Sequence, residues 1–267
     1  MKALKYLPAA QVAAVFTDID DTLTTGGKLD AATYAALEAL KRAGLLVIPV
    51  TGRPAGWCDL IARLWPVDGV IGENGALYMW HDRESGVLRT RHLLDDAQRR
   101  ENAARMAEVR DRILREVPGC ALASDQFCRQ YDLAIDFCED VPALADEDVQ
   151  RIVQIMEQAG MTAKVSSIHV NGWFGHYDKL SMARLMMRER FGMDLDDEQV
   201  RSRCVFAGDS PNDAPMFAFF PLSVGVANVR RFADSLPHAP SFVTEQPYGA
   251  GFAELSRHLL ENRGHAA

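Results

Sequence analysis

The apolar positions of this chain come in two textures. Residues 12–17 form an unbroken run rich in β-branched and aromatic side chains, the pattern of a strand covered on both faces. The N-terminal stretch MKALKYLPAAQVAAVF leads straight into that run and on to Asp18. It has no polar segment with a small-residue cleavage site, so it reads as part of a buried first strand rather than as a signal peptide. Residues 30–43 have helical spacing, with Tyr34, Leu37 and Leu40 on one side, Asp30 as a cap and Gly44 as a stop. A second apolar strand, 45–50, closes on Thr51-Gly52-Arg53-Pro54. A helix over 54–64 and a short strand over 69–71, ending in Glu73-Asn74-Gly75, complete the first part. Strand and helix alternating at this spacing predict βαβ units and a parallel sheet.

From about residue 81 the pattern changes. Residues 95–117 form a long Arg-rich helix with Met106, Val109, Ile113 and Val117 on one face, ended by Pro118-Gly119. Strands over 120–123 and 129–137 follow. The second alternates Leu133, Ile135 and Phe137 with Asp132, Ala134 and Asp136, as a half-exposed antiparallel strand would. A helix over 146–159 stops at Gly160 and precedes strands over 161–165 and 168–173. The segment 81–176 thus reads helix-strand-strand twice, an α+β insert with a one-sided sheet, although no sequence repeat marks the duplication. The first texture resumes at Tyr177: a helix over 178–191, strands over 203–207, 223–226 and 241–244, and helices between and after them, including one after Asn228 and one after Gly249. The fold class expected is α/β, a doubly wound parallel sheet formed by residues 1–80 and 177–267, interrupted by an α+β cap.

Composition narrows the function. The chain has 267 residues, 48% of them hydrophobic and 25% charged, enough for a substantial core in one large or two smaller domains. A net charge of -8 speaks against nucleic-acid binding through a general basic surface, though an acidic protein can bind an anion where cations and a metal gather in one cleft. No stretch approaches a membrane span of about 20 apolar residues. The five cysteines, Cys58, Cys120, Cys128, Cys138 and Cys204, are odd in number and widely spaced. They read as small hydrophobes of a protein in a reducing cytoplasm, not as a disulfide framework or zinc site.

Polar clusters sit at the C-terminal ends of predicted strands, where open α/β sheets bind ligands. Asp18, Asp20 and Asp21 follow the first strand, with Thr22 beside them. Carboxylates this close repel unless compensated, and a divalent cation such as Mg2+, which prefers oxygen ligands, is an economical answer; a turn or capping cluster is the other reading. Gly208-Asp209-Ser210-Pro211-Asn212-Asp213 follows a later strand and reads equally as a turn with Ser210 capping a helix before Pro211. Thr51-Gly52-Arg53 offers a hydroxyl and a glycine backbone at a helix start, a natural anion site. Lys179 opens the helix after the insert, a position unfavourable for the helix dipole and, taken alone, one for an ordinary surface lysine.

The ordered set, an Asp pair with Thr, then Thr-Gly, then Lys, then Gly-Asp-x-x-Asn-Asp, resembles the haloacid dehalogenase superfamily of phosphohydrolases over about 170 residues of the core. The position of the insert resembles the subgroup with a C2-type cap. Its doubled helix-strand-strand pattern resembles the type IIB caps of sucrose-phosphate, mannosyl-phosphoglycerate and trehalose-phosphate phosphatases, in which Glu73-Asn74-Gly75-Ala76 also has a counterpart. The resemblance implies a Mg2+-dependent phosphatase. Asp18 would be the nucleophile, forming an aspartyl-phosphate. Asp20 would be the general acid and base, with its backbone carbonyl toward the metal. Thr22 would support the loop. Thr51, Gly52 and Lys179 would bind phosphoryl oxygens. Asp209 and Asp213 would join Asp18 as metal ligands, and Asn212 would orient Lys179 or the phosphate. Asp21 stands where the family often has Gly. The cap would select the substrate, a small phosphorylated metabolite such as a sugar phosphate or phosphorylated sugar acid. Ser166, Ser167, His169, Asn171, His176, Arg129 and Asp132 are candidates for that role, each equally readable as strand-edge or hinge polarity. A phosphomutase of the phosphomannomutase type is the alternative, and a receiver-like phospho-Asp switch a remote one. Oligomeric state is not readable from the sequence.

Overall fold

A computed structural model describes residues 1–166 and 168–263. Its elements run β1 (Lys2–Ala3), β2 (Ala14–Thr17), a small hairpin of β3 (Thr24–Thr25) and β4 (Lys28–Leu29), α1 (Ala31–Arg42), β5 (Leu46–Pro49), α2 (Ala55–Leu64), β6 (Val70–Gly72), β7 (Leu77–Asp82) and β8 (Val87–His92). The insert follows with α3 (Asp96–Glu116), β9 (Ala121–Leu122), β10 (Asp132–Asp136), α4 (Asp146–Gln158), β11 (Thr162–Val165) and β12 (His169–Trp173). The chain ends with α5 (Lys179–Phe191), α6 (Glu198–Arg201), β13 (Cys204–Gly208), α7 (Ala214–Phe219), β14 (Leu222–Gly225), β15 (Phe242–Val243) and α8 (Tyr248–Glu261). Among the described residues, no helix is long and apolar enough to cross a membrane.

The central sheet has the order β1-β15-β14-β13-β2-β5, and every adjacent pair is parallel. A parallel bridge from Val50 to Ile71 carries it on to β6. Successive residues of a strand point to opposite faces, and both faces here are apolar. Val15, Val47 and Val205 pack under α1, α2 and α8 with Leu37, Ile61 and Phe252. Phe16, Ile48 and Phe206 pack under α5 and α7 with Met182, Met186 and Phe217. Each fully buried side chain of this size is worth roughly 1.5–3 kcal/mol, so the sheet holds only with helices on both faces. The expected α/β core is therefore present.

The insert has the sheet order β11-β12-β10-β9, all antiparallel, and its helices cover one face. Val109 and Ile113 of α3 and Ile152, Ile155 and Met156 of α4 meet Leu133, Ile135 and Val170 in a core of their own. The doubled helix-strand-strand reading thus matches the element order. The other face of this sheet, with Lys164, Asn171, Trp173, Asp132 and Ala134, looks away from that core.

Four expectations change. Residues 1–13 do not extend the first strand: β1 is a two-residue exposed edge, and a 3-10 turn at Leu4–Tyr6 separates it from β2. The helix expected after Asn228 is a 3-10 segment, Ala227–Phe232. β10 is not half-exposed. Asp132, Ala134 and Asp136 are as buried as their apolar neighbours, because Arg129 takes the carboxylate of Asp132 and Asp136 accepts the backbone N–H groups of Cys138, Glu139 and Asp140. Finally, β7 pairs with β6 and β8 with β7, so the hairpin of residues 77–92 extends the core's edge. We place the start of the cap near Asp95, which caps α3 through a reciprocal pair with Gln98, rather than at residue 81. Of the cysteines, only Cys58 and Cys204 are buried, and the other three are half-buried.

Candidate active site

The strands that place the site are β2 and β13, neighbours in the centre of the sheet with Thr17 opposite Ala207. Their apolar runs end together, so the loops beginning at Asp18 and Asp209 leave the same edge side by side. The backbone N–H of Asp18 donates to the carbonyl of Ala207 at 2.9 Å. Gly208 permits the closeness: a methyl group there would stand 2.5 Å from Oδ2 of Asp213. That oxygen accepts from the backbone N–H of Asp209 at 3.1 Å, which curls the loop so that both its carboxylates face Asp18. Carboxylate oxygens of Asp18, Asp209 and Asp213 all lie within 4.8 Å of one another.

Lys179 enters from the opposite side of the sheet sequence. Asp178 caps α5 in a reciprocal pair with Ser181, and Gly75, at a φ of +103°, lets the turn after β6 approach so closely that a methyl there would lie 2.1 Å from the Asp178 carbonyl. Lys179, the first residue of the helix, extends its ammonium to Asp18 at 2.6 Å and to Asp213 at 2.8 Å. The dipole disfavours a cation here, and burial opposes its charge, yet the carboxylates of Asp18 and Asp213 raise its pKa above the ordinary lysine value.

The acids pay the electrostatic cost instead. Burial pushes Asp18 well above the usual carboxylate range, and Asp213, Asp20 and Asp209 push the same way against Lys179. Asp209 rises to about 7, through burial first and then the charges of Asp213 and Asp21. Three carboxylates facing one ammonium leave two negative charges in excess. A divalent cation would supply that charge, and an all-oxygen donor set suits Mg2+. The residues therefore fit the metal the sequence suggested.

The remaining expected residues divide. Thr22 donates from Oγ1 to Asp209 at 3.2 Å, bracing the loop. Thr51 is fully buried at the end of β5, and its Oγ1 accepts from the N–H of Arg53 at 3.0 Å. Gly52 lies against the side chain of Asn74, which would stand 3.0 Å from a methyl there. The carboxylate of Asp20 is not among the three clustered acids; Arg53 grips it at 2.7 Å. Asn212 turns toward the insert rather than to Lys179, its Oδ1 accepting from Nζ of Lys164 at 2.6 Å.

In the insert, Arg129 is buried between Asp125 and Asp132, and Asn171 donates to Asp132 at 3.0 Å. These four residues form one linked network. Ser166 accepts from the N–H of His169 within its own turn, His169 reaches Glu139 at 2.8 Å, His176 is exposed, and Ser167 lies outside the described residues.

Sequence reasoning missed three residues. Asn228 lies in the 3-10 segment shortly after β14, and it donates to Asp209 at 3.0 Å and to the carbonyl of Asp21 at 2.9 Å; its place after an apolar strand was the available signal. Glu73 is buried under the insert and accepts from the N–H groups of Ala55, Gln130, Tyr131 and Asp132. Burial and the charge of Asp132 raise its pKa to about 7, although the amide bonds pull the other way. Lys164 gave no local signal, being one lysine in a short strand.

The profile of a haloacid dehalogenase-like hydrolase family matches residues 15–102. A phosphoglycolate phosphatase of Methanothrix thermoacetophila is 25% identical over 254 residues, covering 93% of this chain and 97% of its own length. The solved structure of Thermoplasma acidophilum 0175 superposes with a TM-score of 0.71 at 17% identity, over 94% of this chain and 99% of that one. A sugar phosphatase of haloacid dehalogenase subclass IIB gives 0.61 at 16% identity, over 92% and 98%. The two structural likenesses share the fold, cap included.

Proposed function

We propose, for a chain that belongs to the haloacid dehalogenase-like hydrolases and is a phosphatase, that it cleaves the phosphate monoester of a small metabolite of the sugar-phosphate kind through a covalent phospho-Asp18. The observation that carries the proposal is the meeting of Asp18, Asp209 and Asp213 around a region of excess negative charge, with Lys179 bound to the first and third.

In this reading an oxygen of Asp18 attacks phosphorus in line with the ester oxygen. The new P–O bond forms as the old one breaks, and the departing alkoxide takes a proton from Asp20. Asp20 then removes a proton from water, which attacks the same phosphorus and releases inorganic phosphate and free Asp18. Arg53 holds the carboxylate of Asp20 beside the cleft. Thr51 and the backbone at Gly52 sit where β5 ends and α2 begins, and with Lys179 they receive the phosphoryl oxygens. Asp18, Asp209 and Asp213, with the backbone carbonyl of Asp20, would hold Mg2+, whose positive charge stabilises the phosphoryl oxygens as negative charge shifts among them.

A panel of phosphate monoesters, a generic aryl phosphate included, tests this by phosphate release with and without Mg2+. Release that depends on added Mg2+ and stops with a chelator is expected. Transfer of phosphate between positions of a sugar, without release, would select the mutase alternative. Absence of both reactions on every ester would end the proposal.

A further inference from the structure

The cap's edge strand β11 carries a cation that the phosphoryl chemistry does not require. Lys164 stands opposite Asn171 in the sheet register, on the face turned away from the cap's own core. Its ammonium crosses to the loop that holds Asp209 and Asp213, and the neutral amide of Asn212 receives it. It rises past the ring of Trp173, 6.0 Å from the centroid. Burial and the nearby charge of Lys179 make it more acidic than an ordinary lysine, against the pull of Asp178 and Asp213.

Two ammonium groups are thus directed toward one cleft from different domains. Lys179 is neutralised by carboxylates of the core. Lys164 has an amide oxygen, which carries no net charge to set against its own, so a carboxylate in that place would attract it more strongly. The placement leaves an exposed cation of the cap near the charges of Lys179 and Asp213.

Resting on the phosphatase reading, we propose that Lys164 binds a second anionic group of the substrate, a carboxylate close to the phosphate ester, which replaces Asn212 as its partner. The preferred substrates are then short phosphorylated hydroxy acids or sugar acids rather than neutral sugar phosphates. Lys164 also ties the acid to closure of the cap, because the carboxylate joins a residue of β11 to a phosphate held by the core.

The test uses three esters of similar size on the Mg2+-supplied protein: 2-phosphoglycolate (acidic), 2-hydroxyethyl phosphate (neutral) and 2-aminoethyl phosphate (cationic). For the unaltered protein, kcat/KM for the acidic ester should exceed that for the neutral one by about 30-fold or more, with the cationic ester lowest. In Lys164→Gln the acid-to-neutral ratio should collapse to within a few-fold of unity. In Lys164→Glu the order of acidic and cationic esters should invert, and Lys164→Arg should retain most of the original ratio. Equal turnover of acidic and neutral esters by the unaltered protein would overturn the proposal and leave the phosphatase reading standing. So would a Lys164→Gln variant with an unchanged ratio, including one that slows all three esters alike, since that is the result of contact with the phosphate itself. Failure of all three esters together with the aryl phosphate would instead remove the reading on which the proposal rests.

Discussion

The loops at the ends of β2 and β13 and the inner face of the cap sheet both surround the cleft, but they are built differently. The loops gather their functional groups within a few residues: Asp18 to Thr22, and Gly208 to Asp213. Each group is fixed by short-range bonds, such as the amide of Asp209 to the carboxylate of Asp213. The cap face contributes single side chains from antiparallel strands, Lys164 from β11, Asn171 from β12 and Asp132 from β10, aligned by register, with Asn171 also bonded to Asp132. Reaction chemistry needs several groups in fixed relation and is served by contiguous loops. Selection needs one group at a distance from the phosphate, which any strand can present.

The contrast can be broken at its catalytic end first. Asp18→Asn preserves size while removing the proposed nucleophile, and turnover should fall by at least about 10^3-fold, with the circular dichroism spectrum unchanged. Activity within tenfold of the original would place the nucleophile elsewhere. Next in size is a cavity in the cap core. Ile152 is fully buried there, and Ile152→Ala should cost about 2–5 kcal/mol. If the cap core is energetically its own unit, amide exchange should accelerate in β10 and β12 while β2 and β13 keep their protection; equal acceleration in both would show one cooperative unit. The smallest effect concerns the junction. Glu73 has a folded-state pKa near 7 against an ordinary 4.5, so the folded protein binds its proton more tightly than the unfolded chain does. Its stabilising contribution is therefore complete below about 4.5 and is lost as pH rises through 7. Glu73→Gln should flatten the fall of stability between pH 5 and pH 8, by on the order of 1–3 kcal/mol. A slope that survives unchanged in the variant would assign it to other groups.

The same contrast explains what was readable beforehand. The strands under the site announce themselves through unbroken apolar runs, and their polar ends show where the chemistry lies. Asp18, Asp209 and Asp213 stand out as polar ends of apolar strands, whereas Lys179 and Thr22 take their roles only from the ordered set that resembles the haloacid dehalogenase superfamily. β10 misled because alternation of Asp and apolar residues normally means one wet face. Here the aspartates are buried by partners, Arg129 and a run of backbone amides, that periodicity does not register. The first 13 residues misled in the opposite sense: apolar composition suggested a strand where the chain folds into a short edge and a 3-10 turn. Asn212, expected to orient Lys179 or the phosphate, meets Lys164, a contact periodicity does not register because it depends on how the cap sits on the core.

The turn from Glu73 to Ala76 has a mechanical consequence. Glu73 holds the amides of residues 130–132 beneath the cap, the carbonyl of Ala76 takes the N–H of Leu93 just before the cap begins, and Gly75 abuts Asp178 where the chain returns. Glu73 and Asn74 both lie in the left-handed region, at φ of +45° and +56°, so the turn is set in an uncommon backbone shape. Entry, exit and underside of the cap are thus fastened to one fulcrum of four residues. A rotation of the cap about this turn would carry Lys164 farther than Lys179, which adjoins Gly75. Such a hinge would let the cap shift while the acids at the ends of β2 and β13 keep their places in the sheet.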